Sequence, residues 1–153
     1  MLLALLLLAA AIDGAAGDGA LVVVTHPGVA ASAAQGRNLA DVFRRKLLVD
    51  ARGNRLVPVN LPGRDPLRRA FSSAVLGRQP EDMESYWNER YFHGISPPPV
   101  VASVEAVLRF VAATPGAVGY VPACAVDGRV VVAAELEVGN LPAVSCARRS
   151  VEP

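Results

Sequence analysis

Lysine is nearly absent from this chain. Lys46 stands alone against fourteen arginines. Codon bias accounts for such an imbalance without any function. The competing reading is anion recognition, because the planar guanidinium fork matches phosphate and carboxylate. A basic excess is also missing. The formal net charge is +1, so the electrostatic footprint of a nucleic-acid binder is not there. Catalytic signatures are missing too. No nucleophile elbow or comparable motif occurs. His26, His93, Cys124 and Cys146 are metal-ligand types, but none of them pair at short spacing. The sequence therefore predicts no enzyme, no metal and no cofactor.

Long apolar runs are scarce. The stretch from Leu2 to Ile12 is uninterrupted, but a bilayer of about 30 Å needs about 20 residues. Small residues follow, with Ala15 and Gly17 placed as a cleavage pair. Residues 1–17 read as a secretory signal peptide, although only the terminal amine supplies positive charge at its start. A buried N-terminal helix or an uncleaved anchor is the other reading. The expected mature chain is one domain over 18–153, exported or periplasmic. Its length suffices for a single core. In that compartment the two cysteines, Cys124 and Cys146, permit a disulfide. Two buried free thiols are the alternative.

What is present is a succession of short apolar strands and capped helices. "ALVVVT" (20–25) reads as a strand buried on both faces. "HPGVAASAAQGR" reads as a loop. A helix is expected from Asn38 as N-cap, with Leu39, Val42 and Phe43 on its apolar stripe. A turn at 50–54 precedes a strand over 55–61, in which Pro58 predicts an edge position or a bulge. Asp65 as N-cap, Pro66 at the first helical position and Gly77 at the end define the clearest helix. Another begins near Glu81 and Asp82, with Met83, Tyr86, Trp87 and Tyr91 on one face. After a stiff "SPPP" connector, Ser103 caps a helix bearing Val104, Val107, Leu108 and Val111. That helix must stop before Pro115. Strands are expected over 117–121 and 129–138, the second reached through an Asp127-Gly128 turn. The fold class is α/β with a mixed sheet flanked by helices.

Taken in order, "LVVVTHP", "LADVFRRK", "VPVNLPGRDPLRRAF" and "VLRFVAATPGAVGYV" resemble the substrate-binding proteins of phosphate ABC transporters, of the type 2 periplasmic-binding-protein-like superfamily. The resemblance covers roughly residues 20–125 and is most specific at "TPGAVGYV". It implies a single-lobe periplasmic-binding-protein-like domain, because the family's clamshells have two lobes. It implies a small oxyanion such as phosphate as ligand, and an ABC transporter permease or another periplasmic protein as partner. A second subunit, as in a homodimer, could supply the missing wall.

The family holds phosphate with a Ser-Gly-Thr stretch at a helix N-terminus, where unpaired amides and the helix dipole favour anions. Here that place reads "GRDPL". Pro66 removes one donor. Asp65 satisfies the amides itself, or imitates the family's proton-accepting carboxylate with Arg64 supplying positive charge. Thr25 and His26 end the first strand, where open α/β sheets bind ligands, and Ser32 follows in the loop. Thr25, Ser32, Arg64 and Asp65 are thus the candidate ligand-binding residues, with ordinary capping and loop polarity as the alternative account. The competing function is an accessory or protein-interaction module that kept the fold and lost the ligand.

Overall fold

The computed structural model describes residues 20–139 and 141. The expected signal peptide over 1–17 and Cys146 lie outside the described residues. Four strands form one sheet in the order β2-β3-β1-β4. They are β1 (Leu21–Thr25), β2 (Val57–Pro58), β3 (Ala117–Pro122) and β4 (Val131–Leu136). β1 lies between the two C-terminal strands and is antiparallel to both, whereas β2 and β3 are parallel. The uninterrupted apolar run of β1 follows from that central place: all five residues are buried. The Asp127-Gly128 turn does not close a hairpin, because β1 separates the strands on either side of it.

β2 is shorter than the predicted 55–61 strand, and Pro58 shows why. The amides of Val57 and Val59 donate to the carbonyls of Gly116, just before β3, and of Val118 on it, both at 2.9 Å. Pro58 has no amide to give, and its nitrogen faces the open edge, where none is required. Asn60 then turns to the other side, donating to Pro99 and accepting from Val101.

Helices cover both faces of the sheet. α4 (Val104–Ala113) starts at Ser103, whose hydroxyl accepts from the Ala106 amide at 3.1 Å. It packs so close to β3 that a Cβ on Gly119 would meet Val107, Val111 and Val59 side chains. Side chains alternate along a strand, so Tyr120 projects to the opposite face. There it stacks on Phe71 at 3.9 Å and meets Phe43 at 5.9 Å. Those two rings come from α2 (Pro66–Phe71) and α1 (Gly36–Phe43). α2 continues through a π-helical turn over Ser72–Leu76 and ends at Gly77 in the left-handed conformation. α3 (Glu84–Phe92) is tied to the end of α1 by the Tyr86 hydroxyl, which donates to the Arg44 carbonyl at 2.7 Å.

Two local expectations change. α1 begins at Gly36, and Asn38 is not its cap. A 3-10 turn over Ala31–Ala34 leads almost directly into α1, and the Asn38 amide group donates back to the Ser32 carbonyl at 3.0 Å. Along α3, Met83 just before it is buried and Tyr86 and Trp87 are half-buried, but Tyr91 is exposed. The polar turn at 50–54 is built on Asp50. Its carboxylate accepts from the amides of Ala30, Arg52 and Asn54 and from the Asn54 side chain. Burial pushes this carboxyl up, but those hydrogen bonds outweigh it and hold it at about 2.

Candidate ligand-binding site at the end of the parallel strands

β2 and β3 run the same way, and β1 runs against them. The chain therefore leaves β1 and β2 in opposite directions along the sheet. Thr25 pairs with Val118, level with Pro58, while the chain after β2 runs on past Leu61, against Tyr120, to Arg64 and Asp65. The four candidate residues do not converge on one place. Thr25 is buried within the sheet and Ser32 is exposed. Arg64 and Asp65 share the loop that opens α2.

That loop closes on itself. The Asp65 amide donates to the Pro62 carbonyl at 2.9 Å. Asp65 Oδ1 accepts from the Leu67 amide at 2.8 Å, as an N-cap does. The Asp65 carbonyl accepts from Arg69, and Pro66 has no amide. The dipole end of α2 is thus largely satisfied from within, which leaves it little to offer an anion. Arg64 is exposed.

Beneath the loop lies a polar cluster that only the fold assembles. The Leu61 amide donates to the Tyr120 hydroxyl at 3.2 Å, and that hydroxyl donates to Asn60 Oδ1 at 3.1 Å. Arg68 Nη1 donates to the Leu61 carbonyl at 2.8 Å. Asn60 and Tyr120 are buried. Burial pushes the Tyr120 hydroxyl well above its ordinary pKa, opposed by the Leu61 amide and the nearby Arg68 charge. Burial lowers the pKa of Arg68, and Tyr120 raises it. Arg68 is the cation this end holds in place, and the sequence reading missed it. Its one signal was position: three residues after the cap, one turn along α2, it returns toward the strand end.

The Arg69 side chain is committed elsewhere, in a two-pronged ion pair with Glu81 at 2.9 and 3.1 Å. A shallow depression lined by Ala70, Ser73, Ala74, Glu137, Val138 and Gly139 runs along the later part of α2 and not at its capped end. Among the described residues, no group of three or more histidine, cysteine or acidic side chains is arranged to hold a metal. No helix among them is long and apolar enough to cross a membrane.

The mixed α/β fold is similar to part of two solved transport receptors. A crystal structure of an ABC-type phosphate transport receptor from Vibrio cholerae superposes with a TM-score of 0.56 at 16% identity. The match covers 74% of this chain and 45% of that one. A Clostridium perfringens protein, described as a phosphate ABC transporter substrate-binding protein and solved with bound phosphate, gives 0.54 at 16% identity, over 74% and 44%. The chain spans less than half the length of either structure. No family model matches the sequence, and no curated protein does. At this identity the likeness is one of fold.

Proposed function

We propose that this chain is an exported, non-catalytic binding lobe of the phosphate-receptor type, which presents a small oxyanion site to a second body. The observation that carries the reading is the fold likeness to two phosphate receptors, one of them solved with phosphate bound. The residues assigned to the site are Arg64 and Asp65, with Arg68 behind them. Thr25, buried within the sheet, and Ser32, exposed in the turn after β1, are left out of this assignment. Transport through an ABC permease follows from the same likeness, and export rests on the signal segment at 1–17.

A second reading has its own observation. Asp65 spends its carboxylate on the Leu67 amide, and Pro66 withholds a donor at the helix end. Under that reading the lobe is an accessory module that binds a protein and no oxyanion.

Calorimetric titration of phosphate into residues 18–153 at low salt, with sulfate as control, separates the two. Saturable heat from phosphate, reduced by Arg64→Ala, supports the receptor. A flat trace with folded protein rejects it as a solitary receptor and favours the accessory module. A thermal melt with excess phosphate checks the outcome, since a ligand of the native state alone must raise the melting temperature.

A further inference from the structure

The two strands on either side of β1 end at the same level, and a cysteine follows each of them. We propose that Cys124 and Cys146 form a disulfide staple, which draws the C-terminal segment 142–153 across that end of the sheet and locks the edge strand β4.

The first observation is the state of Cys124. It lies exposed in the 3-10 turn Ala123–Ala125 that follows β3, and it is disulfide-bonded. The sequence holds one other cysteine, Cys146. Within the chain the bond therefore has one possible partner, and a second copy of Cys124 is the competing one.

The second observation is the register. Leu21 pairs with Pro122 on one side and with Leu136 on the other. β3 and β4 therefore leave the sheet at the same end, level with the start of β1. The turn that carries Cys124 is held there, because the Ala123 amide donates to the Ala20 carbonyl at 2.7 Å. After β4, Val138 and Leu141 stay packed against the core. With β1 between them, β3 and β4 lie about 10 Å apart. The five residues after Leu141 end at Cys146, and such a stretch reaches at most about 17 Å. The chain beyond Leu141 is long enough to make the crossing.

The third observation is the exposure of β4. It is the edge of the sheet, pairs with β1 alone among the described strands, and exposes Val131 and Val132. Its register shifts between Val23 and Val24 of β1. From outside the ladder, Gln35 Nε2 donates to the Ala133 carbonyl at 2.8 Å. An apolar edge with so few ties invites fraying or pairing with another chain. A bond from the end of β3 to the chain beyond β4 closes a loop that contains the whole strand, and so opposes its detachment. Forming the bond takes an oxidant. The two thiols give up two protons and two electrons to a small disulfide, which leaves as two thiols. The lock closes in an oxidising compartment, such as the export proposed above would supply, and stays open where thiols are kept reduced.

The test begins with the full chain incubated with glutathione disulfide, alkylated with iodoacetamide without reductant, and digested with trypsin. Mass spectrometry should find residues 110–129 joined to residues 130–148, with neither cysteine alkylated. Reduction should lower the melting temperature by on the order of 10 °C. The double variant Cys124→Ser, Cys146→Ser should melt at the lower temperature and ignore added reductant. Hydrogen exchange should quicken about tenfold in β4 on reduction and hold steady in α4. A Cys124–Cys124 dimer, a glutathione adduct on each cysteine, or two alkylated thiols overturns the pairing. A joined peptide whose reduction leaves β4 exchange unchanged overturns the lock.

Discussion

Tyr120 holds one end of the site together through a single oxygen. Its hydroxyl links the Leu61 amide to the Asn60 side chain, and its ring stacks on Phe71. Tyr120→Phe keeps the stack and strands two buried polar groups. Urea unfolding should show a loss of about 1–3 kcal/mol, the penalty for an unpaired buried group. A second residue-scale prediction concerns acid. Unfolded Asp50 takes up a proton near 3.8, while in the folded chain its hydrogen bonds hold it at about 2. Glu105 moves from 4.5 to about 2, chiefly through its hydrogen bonds from Arg129 and then Arg109. In both cases the unfolded state binds more protons across this window, so stability falls as pH falls. Melting temperature should hold steady above about pH 5 and drop between about 4.5 and 2. Asp50→Asn should flatten part of that drop. Added salt should weaken the contribution of half-buried Glu105 more than that of buried Asp50.

At the scale of elements, local chemistry was legible and partnership was not. Asp65, Pro66 and Gly77 announce α2, Ser103 announces α4, and Pro58 announces an edge strand, each through an effect confined to a few residues. The structure agrees with all three. The π-type turn that extends α2 and the left-handed end of α1 at Arg45 had no such marker, because other parts of the chain impose them. The candidate site divides in the same way. Asp65 was readable as a cap, but Arg68, Asn60 and Tyr120 come together only because β2 lies beside β3. Two substitutions separate the cap from the charge at α2. Asp65→Ala should cost about 1 kcal/mol in chemical denaturation. Asp65→Asn keeps a capping oxygen, so stability should change little. If the carboxylate repels an anion at this loop, phosphate should bind the asparagine variant more tightly than the parent in the same calorimetric titration.

For the whole molecule, the resemblance of ordered segments pointed to the right fold, and the antiparallel course of β1 was the part that sequence pattern could not supply. A continuous apolar strand looks the same whichever way its neighbours run. That direction is what parts Thr25 from Asp65, two residues that a parallel β1 would have set at the same end of the sheet.

The central place of β1 has a further consequence, in time. The first strand to be synthesised pairs only with the last two, across about a hundred residues of intervening chain. The sheet cannot close until translation has passed Leu136. Contacts so distant in sequence make folding slow to begin and all-or-none once begun. A chain cut after Val130 should stay unfolded by circular dichroism and protease sensitivity, with α1 and α2 complete in sequence but lacking a surface to cover. Until its final strand emerges, the nascent polypeptide lacks one of the two neighbours of its central strand.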